Sequence, residues 1–265
     1  MRIIAEIGWN HLGDMDVAKK MIKAASLAGA DYCKFQTWSV KNLKEGSWDN
    51  DGRKELYNKA ELKKDMHLEL KNYCNENKTK FLTSIFNIKD IEFLSSLTPE
   101  IIKIGSPEIY NIDLIQKCLD TFDQVILSTG AAKWEEILKL KSLSNLNRLT
   151  LLHCVSSYPC KPENINIPRM IELKKIVKKV GYSGHYAGID DAIIAICNGA
   201  EFIEKHFTIN KDLPGRDNKF SILPEELKFL IDFKKNFLEM KKFKGLDLQD
   251  CEKDIFENIR GRWNN

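Results

Sequence analysis

Eight short apolar runs of strand length alternate along the chain with amphipathic stretches of helix length, and few folds accommodate that order. The runs are RIIAEI (2–7), YCKFQ (32–36), KFLTSIF (80–86), IIKIG (101–105), QVILST (124–129), LTLLHC (149–154), KVGYSG (179–184) and EFIEKHF (201–207). Between them lie helical patterns such as DVAKKMIKAASLAGA, LKKDMHLELKNYCNENK, NIDLIQKCLD, KWEEILKLKSL and DDAIIAICNGA. Gly29 and Gly199 stand where two of these helices should stop, just ahead of the next strand. Such alternation predicts a parallel sheet covered by helices. Eight strands favour closure into a single-domain (β/α)8 TIM barrel over an open doubly wound sheet, and no GxGxxG follows the first strand. PEELKFLIDFKKNFLEMKKF, after the last strand, reads as the closing helix. Residues 39–60 form a polar insertion after strand two, at the rim where barrels carry their chemistry. It reads as a mobile surface loop or, with Trp48 inside it and Trp38 just before it, as a cover for a substrate.

The chain has 265 residues, 43% of them hydrophobic, enough for one sizeable core. Its 41 Lys and Arg against 38 Asp and Glu leave a net charge of +3, too even to predict nucleic acid or an anionic membrane as partner. Seven cysteines, an odd number without CxxC spacing, predict reduced thiols and a cytoplasmic protein. The first residues have neither signal-peptide nor membrane-span character, and no later segment approaches ~18 consecutive apolar residues.

The informative anomaly is where ionisable residues fall. Strand residues of a barrel face a packed lumen or the helices, so a charge there needs a partner. Lys34, Lys103, Glu204 and His206 lie inside strands, Glu6 ends the first, and Ser183 and His185 flank the end of the seventh. All sit near C-terminal strand ends, the catalytic face of barrel enzymes. Lys103, between Ile102 and Ile104, must face inward if they face the helices, and Glu204 and His206, two apart, share a face. Lys205 then points the other way, snorkelling between helices without a role. His185 and His206 come from adjacent strands and suit a divalent ion of the Mn, Zn or Fe group. A structural salt bridge is the alternative for Lys34, and an ordinary histidine pair for the two rings. His11 is a secondary candidate, His67 reads as surface, and His153 reads as a satisfied core histidine. Ser84, Ser106, Ser128, Ser156 and Ser183 also fall near strand ends. Each alone is an ordinary cap or turn residue; with two lysines they would make an anion site for phosphate and carboxylate.

AEIGWNH (5–11), KFQT (34–37), KIGS with Glu108 (103–108), ILSTG (126–130), LLHCVSSYP (151–159), GYSGH (181–185), IEKHFT (203–208) and LPGRDNKFS (213–221) resemble, in order, the motifs of the sialic acid synthase family. The Val-Ser-Ser-Tyr-Pro run is similar to its spore-coat polysaccharide branch. The resemblance covers nearly all of residues 2–235. It implies a transferase that condenses phosphoenolpyruvate with an amino sugar such as N-acetylmannosamine, or a related aldose, to give a nonulosonic acid and phosphate. It implies that Lys34, Lys103, Ser84, Ser106, Ser156 and Ser183 bind phosphoenolpyruvate, and that Glu6, Ser128, Tyr158 and Asp217 contact the open-chain sugar. Catalysis would fall to Glu204, Glu108, Lys103 and Glu6, with Glu108 positioning a water. His185 and His206 would hold a divalent metal, Mn²⁺ first, with Mg²⁺ or Co²⁺ as alternatives.

The sequence departs from the family pattern in places. Gly184 stands where an Asp is common, Asn218 where a His is common, and Ser156 where an Asn is usual. The resemblance predicts a barrel over 1–243 and a short tail over 244–265, without the antifreeze-like domain of typical members. Whether a homodimer or a separate partner domain supplies that part is open, as is the acceptor, and Arg216 would meet an acceptor phosphate or only solvent. Two other functions fit the residues alone: a Schiff-base aldolase using Lys103 or Lys34, or a non-catalytic metabolite-binding barrel.

Overall fold

Strands β1 (Arg2–Gly8), β2 (Tyr32–Thr37), β3 (Lys80–Ile85), β4 (Ile101–Ile104), β5 (Gln124–Ser128), β6 (Leu149–Cys154), β7 (Lys179–Gly184) and β8 (Phe202–His206) pair in order and close on themselves. Every pairing is parallel, so this is the eight-stranded barrel of the (β/α)8 fold. The computed structural model describes residues 1–263 except Pro99, and of Trp48 only the backbone. Helices α1 (Met15–Ala28), α2 (Arg53–Ala60), α3 (Lys64–Glu76), α4 (Ile91–Leu97), α5 (Ile112–Thr121), α6 (Trp134–Lys139), α7 (Pro168–Glu172), α8 (Asp190–Cys197) and α9 (Pro224–Met240) surround it. Gly29 ends α1 at φ +98°, its N–H on the Ala25 carbonyl. Among the described residues no helix is long and apolar enough to cross a membrane.

The strand pleat sorts side chains into two cores. Residues such as Ile3, Cys33, Ile102, Val125, Leu151 and Ile203 point outward and join the helices in one large apolar shell. Ile4, Tyr32, Leu82, Ile101, Ile126, Leu152 and Phe202 point inward and form a second, separate cluster in the lumen. The register stacks the inward residues in layers taken alternately from odd and even strands. Arg2, Lys80, Gln124 and Lys179 open the N-terminal mouth. Tyr32, Ile101, Thr150 and Phe202 follow, then Ile4, Leu82 and Ile126 with Gly181. A Cβ on Gly181 would stand 2.4 Å from the Phe202 carbonyl oxygen and 2.7 Å from Leu152 Cδ2. Leu152 thus takes the space that a side chain at 181 would need. On this dry plug sit Lys34, Lys103, Leu152 and Glu204, then Glu6, Ser84, Ser128 and Ser183.

Three sequence expectations change. The insertion at 39–60 is not a bare loop: Glu61 accepts from Ser39 Oγ and the Val40 N–H at its base, both at 2.9 Å, and α2 closes it. Tyr57 of α2 packs against Trp9 and Trp38, with ring centroids 4.9 and 5.0 Å away, so aromatic burial anchors the segment to the rim. The Trp48 side chain lies outside the described residues. His67 is not on the surface; it is 1% exposed, its Nδ1 donating to the Lys63 carbonyl and its Nε2 accepting from Thr37. Lys205 does not snorkel to water; it is 1% exposed and paired with Asp191 on α8. His153 faces the helices with Nε2 2.7 Å from the Ile165 carbonyl, as a core histidine should, although among the described residues its Nδ1 has no partner. After α9 the chain runs over an exposed tail with short turns at Asp250–Glu252 and Ile255–Ile259.

If the lumen plug supports the charged layers, Leu82→Ala should lower unfolding free energy by about 2–5 kcal/mol. Urea denaturation measures it. A loss well under ~1 kcal/mol would mean the lumen collapses around the gap.

Candidate active site

Lys34 and Lys103 end in a lumen closed from below, so their ammonium groups have only protein and the upper mouth to turn to. Lys34 Nζ lies 2.7 Å from Glu6 Oε2 and 3.8 Å from Glu204 Oε2, and it donates to Ser84 Oγ at 2.9 Å. Lys103 Nζ donates to Ser128 Oγ at 2.6 Å and to the Ile104 carbonyl at 3.0 Å. Both serine hydroxyls spend a lone pair on an ammonium, which leaves their O–H free to donate elsewhere. Ser183 does the opposite, donating to Glu204 Oε1 at 2.9 Å. Gln36, two residues beyond Lys34 on the same face, donates to Glu6 Oε1 at 2.9 Å.

The two carboxylates diverge. Burial would raise Glu204, but Lys103 and Lys34 outweigh it and hold Glu204 below the usual carboxylate range. Burial dominates at Glu6, and with the like charge of Glu204 it lifts that group to about 7 in spite of Lys34. The lysines diverge too. Burial would lower Lys34, yet Glu204 and Glu6 leave it above its ordinary value; Lys103 is lowered by burial, which Glu204 only partly offsets.

Above this charged floor the strand-end loops supply small donors and a ring cage. A Cβ on Gly130 would fall 2.3 Å from Ser156 Oγ, 2.9 Å from Ser106 Oγ and 3.1 Å from Cys154 Sγ, so those three side chains converge on the bare glycine. The Gly130 N–H donates to Ser106 Oγ at 3.0 Å. Next to them, with Cys154 Sγ 3.9 Å from His185 Nδ1, the rings of His185 and His206 have centroids 5.3 Å apart, with Tyr158 4.1 Å from the first and Phe220 5.1 Å from the second. Asp217 Oδ2 accepts from Trp9 Nε1 at 2.5 Å and lies 3.6 Å from His206 Nδ1.

The histidines fit a divalent ion. His185 Nδ1 lies 2.7 Å from the Val155 carbonyl, so that nitrogen carries the proton and donates, leaving Nε2 with its lone pair. Burial and the neighbouring cations push His206 well below its ordinary value, which keeps it neutral, and among the described residues its buried Nδ1 has no hydrogen-bond partner. At His185 burial is outweighed by Cys154 and Glu204, and the ring ends above its ordinary value, so proton and metal compete there. Among the described residues no three His, Cys, Asp or Glu side chains form a ready-made metal site. An ion here would have two imidazoles and open positions, the pattern of a reactive rather than a structural metal.

Two further candidates have partners of their own. Glu108 lies on the turn Ser106–Glu108 after β4, its Oε2 held by Asn111 Nδ2 at 3.0 Å. His11 is buried against Phe35, its Nδ1 accepting from the Gly13 N–H, and burial lowers it to about 4. Asn218 is bound inside the protein: its Nδ2 donates to the Asn10 and Pro214 carbonyls and its Oδ1 accepts from Thr208 at 2.6 Å. Arg216 is exposed, with Asp51 of the insertion in its field. Gln36 and Cys154 escaped the sequence reading, although each lies two residues from a lumen position, the spacing that could have found them.

A family model described as NeuB family matches residues 21–244. The chain belongs to the NeuB family. It is 34% identical to the N,N'-diacetyllegionaminic acid synthase of Campylobacter jejuni, over 97% of this chain and 81% of that one. It is 37% identical to the pseudaminic acid synthase of Helicobacter pylori, over 83% and 69%. Among solved structures, the sialic acid synthetase of Leptospira borgpetersenii, in complex with citrate, superposes with TM-score 0.85 at 34% identity, covering 98% of this chain and 92% of that one. This NeuB-family barrel thus shares its architecture with a synthetase at appreciable sequence identity.

Glu6 gives the site a pH signature. Its folded value, about 7, exceeds the unfolded one, so its protonated form contributes stability in full below about pH 4 and loses it as pH rises through about 7. Glu6→Gln fixes a neutral side chain there. Its unfolding free energy should gain on the parent's between about pH 5 and about pH 8, by at most ~3 kcal/mol. A gap in urea unfolding that stays constant with pH would show that Glu6 is ionised throughout.

Proposed function

We propose that this chain condenses phosphoenolpyruvate with the open-chain form of an N-acylated amino sugar, giving a nonulosonic acid and phosphate. The observation that carries this reading is the layer of Lys34, Lys103 and Glu204, buried in the lumen beneath the His185–His206 pair. Membership of the NeuB family supports it, as do relatives named as synthases of such acids.

Lys34 and Lys103 would bind the phosphate and carboxylate of phosphoenolpyruvate, two fixed cations away from bulk water. Ser84 would add the hydroxyl proton that its bond from Lys34 leaves free, and Ser106 and Ser156 the donors around Gly130. Ser183 would act on the same substrate through Glu204, which it fastens. Glu6, Ser128, Tyr158 and Asp217 would line the acceptor's side.

His185 and His206 would hold a divalent ion, Mn²⁺ before Mg²⁺ or Co²⁺, whose chemistry there is Lewis-acid polarisation of the acceptor aldehyde. Carbon three of the enol then bonds to the aldehyde carbon, and Glu204, ionised beside both lysines, would relay to the new alkoxide the proton that the attacking water gives up. Water adds at carbon two, with Glu108 positioning it, and phosphate leaves with cleavage of the C–O bond. The catalytic residues fall within 1–243, with 244–265 as a tail. An odd number of cysteines without CxxC spacing supports reduced thiols, and we assign the protein to the cytoplasm.

Phosphate release from phosphoenolpyruvate tests the proposal, with Mn²⁺ and a panel of N-acyl hexosamines, phosphorylated sugars and simple aldehydes. Release should need both aldehyde and metal, vanish in His206→Ala and fall at least about a hundredfold in Lys103→Met. Trapping of a substrate on lysine by borohydride, with no metal requirement, would favour a Schiff-base aldolase instead.

A further inference from the structure

The ammonium of Lys205 joins β8 to two other stretches of chain, and β8 and one of those stretches adjoin the histidines. Lys205 is the residue before His206 on β8, with its side chain turned away from the lumen. Its Nζ donates to the Tyr186 carbonyl at 2.8 Å, and Tyr186 is the residue after His185. The same Nζ meets both oxygens of Asp191, at 3.0 and 2.9 Å, in the first turn of α8. Asp191 also accepts from the Tyr182 hydroxyl at 3.0 Å and from the Ala192 N–H at 2.8 Å. Lys205 and Asp191 are each 1% exposed, so each charge is met by the other and by these dipoles, with the Tyr186 ring 5.9 Å from the ammonium and Glu226 also in its field.

Gly184 makes the arrangement sterically possible. A Cβ there would stand 2.3 Å from Asp191 Oδ2 and 2.5 Å from Tyr182 Cε1. The carboxylate of α8 thus occupies the space that a side chain just before His185 would take. Other bonds also tie the two histidine backbones: Cys160 N–H to the His185 carbonyl at 2.9 Å and Ile222 N–H to the His206 carbonyl at 2.8 Å. Those bonds lead to different loops. Lys205 links one histidine's segment directly to the other's, beyond the β7–β8 pairing that sets Gly184 beside it.

We infer that Lys205, fastened by Asp191 in the space left by Gly184, is a positioning residue that sets the spacing of His185 and His206 from behind the barrel wall. The inference rests on the metal reading of that pair above, but the spacing itself is testable without a metal. Lys205 touches no substrate; it acts through the strand and loop that present the rings. Outer partners of this kind commonly tune metal affinity tenfold or more.

The test removes both charges together, in Lys205→Met/Asp191→Asn, so that no unpaired ion remains and the amide can still accept from Tyr182. Two readouts apply to the folded variant. Mn²⁺ affinity, from electron paramagnetic resonance of the free ion, should fall about tenfold while phosphoenolpyruvate affinity stays within about threefold of the parent. In the metal-free protein, the ring Cε1–H resonances of His185 and His206, assigned with their Ala variants, should move while those of His67 stay. If the double variant does not fold, Tyr182→Phe withdraws one hydroxyl from Asp191 and takes the same readouts, with smaller changes of the same sign. Resonances that stay in place, with Mn²⁺ affinity unchanged, would overturn the proposal. A parent chain that binds no Mn²⁺ would count against the metal reading alone, and the resonances would then decide the positioning role.

Discussion

A lysine ammonium shared by two buried carboxylates is the interaction on which the rest of the molecule turns. Lys34 cannot reach water downward, because two layers of Ile, Leu, Tyr and Phe fill the lumen beneath it. It therefore has to be satisfied sideways, by Glu6 on one neighbouring strand, Ser84 on the other and Glu204 farther round. A charge in such surroundings is tolerated only with partners in good geometry. The parallel register supplies the nearest of them, because it sets Glu6 directly beside Lys34.

The same confinement separates otherwise similar groups. Glu204, with two ammonium groups near it, stays ionised, while Glu6 rises to about 7. Lys34 holds its proton firmly and Lys103 less so. Chemically identical side chains placed in one cavity thereby become distinct acids and bases, as a site that must hold an anion and move a proton requires. The outer wall follows the same rule. Lys205 could not be left alone in an apolar shell, and Asp191 answers it from a helix.

Much of this was legible in the residues. The strand bounds agree with the sequence reading to within about a residue because strands buried on both faces stand out as short continuous apolar runs. Lys103 between two isoleucines, and Glu204 two from His206, announced their direction by parity alone. The short helices α4 and α7 left no helical period to read, being barely two turns or less. His67 looks like polar surface by residue type, yet it shares a helix face with Leu70 and Cys74, three and seven positions on, and is buried with them. Lys205 was rightly sent outward by parity, but parity could not show that Asp191 would meet it.

The sequence by itself determined the barrel, the two faces of each strand and the end of the barrel where the ionisable residues gather. Those are local consequences of periodicity and of which side chains tolerate burial. Only the tertiary structure decided which partner each buried charge takes, because a partner reached across a barrel depends on register and closure. It also decided that Gly184 is bare because a carboxylate from α8 fills its place. It set Asn218 as a knot between two loops rather than a group facing the site. These are facts of convergence between segments far apart in the chain, which no reading of neighbours along it contains.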